Sequence, residues 1–307
     1  MRPPRSVLGL VAIVLLALPH AVEAQPTRRP VRIGMLGGET LFVEHFSQAV
    51  RELGYADYRD FVIERRYVGD AAAPELPRLV AELVQLKADV IVTDTTAAAL
   101  AVKHGTSTIP VVVVAEDPVG SGLVASLARP GGNITGLSTV SPELGVKRLQ
   151  LLKETAQKAT RVAVLWTTGH TVSPVGVKEM VSAARNMGVR LSLLGAHSSI
   201  EYEEALVKAV REGADALIML GGDPVFLPHE ARRVLALAAR HRLPTIYDRR
   251  EYADFGGLMA FGPSVPALAR RAANFVDRIL KGARPAALPV EQPTTFELVV
   301  NLNEWAT

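Results

Sequence analysis

The sequence contains no cysteine. That excludes disulfides, thiolate metal sites and a lipid anchor on a cysteine, so the folded chain must be held by packing alone. Charge of one sign is also scarce, with a formal net charge of +3 over the whole chain. Setting residues 1–24 aside lowers it to +2, and no stretch gathers Lys and Arg on one face with interleaved aromatics. Nucleic acid is therefore not expected as a partner. Beyond the first residues, no apolar run approaches the ~20 residues that a bilayer-spanning helix needs.

Familiar catalytic signatures are missing as well. Gly34-Met35-Leu36-Gly37-Gly38 lacks the G-x-G-x-x-G spacing of a dinucleotide site, and no G-x-S-x-G elbow occurs. The seven His residues are scattered without an H-E-x-x-H pair. No nucleophile stands beside a base in any recognisable pattern. The reading is of a protein that is not an enzyme, with neither cofactor nor metal.

What is present begins at the N-terminus. Arg2 and Arg5 form a positive region, Val7 to Leu18 is an unbroken apolar run, and Pro19 interrupts it. Val22-Glu23-Ala24 then places small residues at −3 and −1 of a signal peptidase site. Residues 1–24 thus read as a cleavable signal peptide, and the mature protein is expected in the periplasm.

From Val31 onward, apolar strands alternate with amphipathic helices. Val31–Leu36, Phe61–Tyr67, Asp89–Thr93, Pro110–Ala115 and Asn133–Ser138 read as strands, with helices at Phe42–Leu53, Glu75–Lys87 and Ala97–Lys103. A second series follows Pro142, with strands at Arg161–Trp166, Arg190–Leu194, Asp215–Leu220, Pro244–Tyr247 and Leu258–Phe261. A long helix, Pro266–Lys281, and a strand, Thr295–Asn301, come last. Strands separated by helices imply right-handed crossovers and parallel sheets. The fold class is therefore α/β, with two Rossmann-like lobes joined by a hinge. The long helix follows a series that already closes a sheet, so the chain is expected to recross. The expected division is residues 31–140 plus 262–285 for the first lobe, and 141–261 plus 286–307 for the second.

In parallel sheets, ligands bind beyond the carboxyl ends of the strands, where helix N-termini offer free N–H groups. This selects Gly37 and Gly38 after the first strand, Thr95 and Thr96 after the third, and Asp117 after the fourth. In the second series it selects Thr167, Asp223 and Asp248. Each residue type also has a plainer use, as a turn former for the glycines or as a helix cap for the others. Their recurrence at one edge of both sheets is what points to a ligand site.

Several segments carry a resemblance. Among them are Arg51-Glu52-Leu53-Gly54-Tyr55, Asp117-Pro118-Val119-Gly120-Ser121-Gly122-Leu123-Val124, and Leu127-Ala128-Arg129-Pro130-Gly131-Gly132-Asn133-Ile134-Thr135-Gly136-Leu137-Ser138. Lys147-Arg148-Leu149, His241-Arg242-Leu243-Pro244 and Leu288-Pro289-Val290-Glu291-Gln292-Pro293-Thr294 belong to the same set. Together they resemble the ABC transporter substrate-binding family that includes tryptophan- and tyrosine-type binders. The resemblance implies a type I periplasmic-binding fold that closes on its ligand by hinge motion. It implies a small-molecule ligand, an amino acid or a related compound, and an ABC permease at the inner membrane as partner to a monomeric protein. Thr95 and Thr96 match the residues that hold the α-carboxylate in such binders. Asp223 matches the acidic group that meets the ammonium, with Asp117 and Asp248 next, and Trp166 or Phe226 would line a side-chain pocket.

Two departures accompany the resemblance. Relatives carry an Asn-Pro loop where this chain has Thr167-Thr168-Gly169-His170, and they run into a terminal helix beyond the final strand. The second departure leads to the expectation that part of one lobe is uncovered. Sensing through the same fold is the alternative use, and an enzyme of α/β class comes after it. Export makes one outcome definite: intact-mass analysis of exported protein should give a chain starting at Gln25, whereas a retained Met1 would contradict the signal peptide.

Overall fold

The computed structural model describes residues 29–302, except 38–39, 68–73, 140–142, 168–173, 197–198 and 221–227. Residues 1–28, where a signal peptide is expected, and residues 303–307 lie outside the described residues.

The first sheet contains β1 (Val31–Gly37), β2 (Phe61–Tyr67), β3 (Val90–Thr93), β4 (Val111–Ala115) and β5 (Ile134–Ser138). Its order is β2-β1-β3-β4-β5, and every pair is parallel. Helices α1 (Thr40–Glu52), α2 (Leu76–Gln85) and α3 (Thr96–Gly105) join its strands. The second sheet contains β6 (Arg161–Thr167), β7 (Arg190–Ala196), β8 (Ala216–Leu220), β9 (Thr245–Tyr247), β10 (Met259–Pro263) and β11 (Phe296–Val300). Its order is β11-β10-β9-β8-β6-β7, parallel except where β11 runs against β10. Its helices are α4 (Glu143–Thr155), α5 (Pro174–Asn186), α6 (Ser199–Arg211), α7 (Pro228–Arg240) and the short α8 (Arg250–Asp254). The α/β class with two parallel-dominated sheets is the one expected from the alternation of patterns.

The third strand begins one residue later than expected. The Asp89 carboxylate accepts from the Arg32 N–H at 2.8 Å and pairs with Arg29. The Asp89 N–H itself still donates to the Arg32 carbonyl at 2.8 Å, so Asp89 is joined to the neighbouring strand by backbone and side chain alike. The helix α8 was not anticipated, because five residues are too few to show a helical period.

The last long helix, α9 (Val265–Leu280), carries the chain back to the first sheet. Leu268, Ala269, Ala272, Ala273, Val276 and Ile279 repeat at helical spacing and are all buried. They pack in one cluster with Phe42 and Phe46 of α1 and with Ile33, Met35, Val92 and Val114 of the sheet. Burying each large side chain of this stripe is worth about 1.5–3 kcal/mol, so α9 is a structural part of the first sheet's core. Helices α2 and α3 cover the opposite face. In the second sheet, α4 and α5 cover one face, and α6, α7 and α8 the other.

Residues 288–291 remain on the first sheet and cross after, not before, the expected position 286. Leu288 and Val290 pack in its two clusters, and the Glu291 N–H donates to the Gly136 carbonyl at 2.9 Å. The segment then meets the β10–α9 crossing, where the Ser264 N–H donates to the Thr295 carbonyl at 3.2 Å. In β11, Phe296, Leu298 and Val300 are exposed. They stand opposite Pro263, Phe261 and Met259, and therefore on the α4 side of the sheet.

Gly136 makes this junction possible. Its φ is +140°, and a Cβ there would lie 2.0 Å from the Val113 carbonyl oxygen of β4. Gly136→Ala combines left-handed strain with backbone overlap, and should cost about 2–4 kcal/mol in urea unfolding. A loss below about 0.5 kcal/mol, the size of an ordinary surface substitution, would show that β4 and β5 yield easily there.

Candidate functional site

Each sheet has one edge made by the carboxyl ends of its parallel strands. In the first these are the ends of β1, β3, β4 and β5; in the second, those of β6, β8, β9 and β10. The crossing segments leave from these ends: Ser138 precedes the α4 crossing, and Pro263 precedes α9. The charges of Asp248, after β9, and Glu116, after β4, both act on Arg148 of α4.

The residues selected from the sequence fall on these edges, and most are bound into local structure. Gly37 ends β1, and the Asp94 carboxylate lies 1.7 Å from where a Gly37 Cβ would stand. Glycine is what admits Asp94 over the strand end. Thr95 caps α3, its hydroxyl oxygen accepting from the Ala98 N–H at 3.2 Å. The Thr96 hydroxyl oxygen accepts from the Glu116 N–H at 3.1 Å, which fastens the end of β4 to the start of α3. Both threonines are buried. Asp117 closes its own turn by accepting from the Gly120 N–H at 2.8 Å, while the Ser121 hydroxyl donates to its carbonyl at 2.6 Å. Thr167 is the last residue of β6, and Asp248 directly follows β9. Trp166 is half-buried near the end of β6. Gly38, Asp223 and Phe226 lie outside the described residues.

The second edge is tightly built around Asp248. A Cβ on Gly262 would stand 1.7 Å from the Asp248 carbonyl oxygen, so β10 comes this close only as glycine. Tyr247 and Tyr252 stack beside it with centroids 5.1 Å apart. Burial, then the Asp248 charge, raises the Tyr252 hydroxyl above its ordinary range. The ring stays neutral.

Arg148 is the charged residue that the sequence reading passed over. It is 8 % exposed, and its Nε donates to the Phe261 carbonyl at 2.7 Å. Its Nη2 lies 3.6 Å from the position a Gly262 Cβ would take. Burial lowers its pKa, and the Asp248 and Glu116 charges act in the opposite sense. A signal for it was present. Arg148 shares a stripe of α4 with Leu144, Leu149 and Leu152, all buried, and an arginine on an apolar stripe needs a reason to be there.

With this geometry in view, the comparisons with known proteins are informative. Residues 39–306 match the family described as ABC transporter substrate binding protein. The chain belongs to that family. A tyrosine-binding protein of Clostridioides difficile (strain R20291) is 26% identical over 258 residues, covering 83% of this chain and 73% of that one. Among solved structures, an ABC domain in complex with L-Trp from Streptococcus pneumonia matches with a TM-score of 0.80 at 22% identity, covering 90% of this chain and 94% of that one. A ligand-free, open substrate-binding protein with adhesive properties from Clostridium difficile matches with a TM-score of 0.66 at 24% identity, again covering 90% and 94%. These likenesses establish the fold as that of type I periplasmic binding proteins. As a member of the ABC transporter substrate binding family, this protein is a solute-binding component of an ABC importer.

For such a binding protein the two threonines become separable in experiment. Thr95→Ala removes a helix cap and should cost about 1 kcal/mol of unfolding free energy. Thr96→Val strands the Glu116 N–H and should cost about 1–3 kcal/mol. Urea unfolding of the two variants measures both, and equal wild-type stability for Thr96→Val would contradict the tie between α3 and β4.

Proposed function

We propose that the protein captures an amino acid or a related small polar compound between its two lobes in the periplasm, and delivers it unchanged to an ABC permease at the inner membrane. The observation that carries this reading is the likeness to a tyrosine-binding protein over most of the chain, on a fold whose facing strand edges bear charges of both signs. The reading divides the chain into a first lobe of residues 29–139 with 264–291, and a second of 143–263 with 292–302. It takes the signal peptide as the route of export, and the mature protein as a monomer that acts on small molecules rather than nucleic acid.

Within this reading the strand ends supply the site. Gly37, Gly38, Thr95, Thr96 and Asp117 would form one wall, and Thr167, Asp223 and Asp248 the other. The threonines shape the wall through their internal bonds. Acidic groups of the second edge would meet a ligand ammonium. Capture needs no catalytic group, because importers require only that the ligand bind and leave.

A thermal-shift screen of the mature protein against amino acids, purines, sugars and carboxylates tests the class. A ligand at 100 times its dissociation constant should add about 2.7 kcal/mol of stability. Amino acids that leave the melting temperature unchanged, beside another class that raises it, would replace the reading. Asp223→Ala should weaken amino-acid binding at least about tenfold, equivalent to 1.4 kcal/mol, and leave the fold intact. If calorimetry instead finds unchanged affinity, with stability reduced by about 1 kcal/mol, Asp223 is a cap and not a contact.

A further inference from the structure

A buried guanidinium must have its charge balanced and its donors filled, or it costs several kcal/mol. For Arg148, acidic groups act on the charge, and the protein fills one donor of the guanidinium and leaves the fork to others. Its residue is 8 % exposed, yet only Nε finds an acceptor, the Phe261 carbonyl. Among the described residues, Nη1 and Nη2 have no hydrogen-bond partner within the protein. The charges of Asp248 and Glu116, one from each sheet, act on the guanidinium. The terminal fork lies beside Gly262, at the strand edge where the chain crosses between lobes.

The alternative anchors nearby are already engaged. The Thr95 and Thr96 hydroxyl oxygens accept from the Ala98 and Glu116 N–H groups, and Asp117 serves its own turn. The fork of an arginine, by contrast, presents parallel N–H groups that match a carboxylate bidentately.

We infer that Arg148 is the carboxylate anchor of this binding protein, and that its free fork holds the α-carboxylate of a bound amino acid at the hinge side of the cleft. The inference rests on the amino-acid reading for its ligand, and on the Arg148 geometry for its residue.

Calorimetric titration separates the two. The probes are L-tyrosine, L-tryptophan and their carboxamides, measured on wild type, Arg148→Gln and Arg148→Lys, with melting curves recorded for each protein. Wild type should bind the free acids at least tenfold more tightly than the carboxamides. Arg148→Gln should lose that preference by weakening the acids alone, and Arg148→Lys, which keeps the charge without the fork, should retain part of it. Equal weakening of acid and carboxamide, or an undiminished preference in both variants, would overturn the assignment. Should Arg148→Gln fail to fold, the Arg148→Lys series decides by the same comparison. Should wild type ignore both amino acids, succinate and D-arabinose distinguish the causes. Succinate binding that Arg148→Gln abolishes keeps the anchor and removes the amino acid. Binding of D-arabinose only, or of no anion, overturns the anchor.

Discussion

The return of α9 to the first sheet is the constraint on which the rest of the molecule depends. A chain that finished one sheet before starting the next would need a single linker, and the two units would be free to separate. Here the apolar stripe of α9 is buried against α1 and β1, so the chain must cross back, and then cross again to supply β11. The last crossing runs between the other two. Glu291 bonds along β5, and Thr295 bonds to Ser264. Such a braid fixes which edges face each other while leaving few residues to bend, which is what a hinge closing on a ligand requires.

That braid also explains the placement of charge. The crossings depart from the carboxyl ends of strands, so the polar residues that follow the strands gather around the crossings. Glu116 and Asp248 arrive there from different sheets, and Arg148 arrives from the second turn of α4, just beyond the first crossing. Close approach of β10 to Asp248 depends on Gly262, where any side chain would strike the carbonyl. Packing, backbone and charge are solved together at one place. A substitution there is expected to touch lobe movement and ligand affinity at once.

Much of this was legible in the residues. Alternation of apolar runs with amphipathic stretches marks both sheets, because buried parallel strands read as continuous apolar segments and their helices as stripes. The return of the last helix followed from counting strands. Short features were not legible: α8 is too brief to show a period. At the site, the strand ends were predictable, but what their side chains do was not. The Thr96 hydroxyl is committed to Glu116, twenty positions away, and no local pattern reports such a tie. Arg148 was visible as a charge on an apolar stripe, yet the Asp248 and Glu116 charges that act on it come from distant parts of the chain.

Capture and release without chemistry is the proposed action. Native mass spectrometry of the mature protein, incubated with an equimolar mixture of L-amino acids, measures this directly. One bound amino acid per chain is expected, released on unfolding with its mass unchanged. A protein that retains no amino acid, or that returns one with an altered mass, would contradict it.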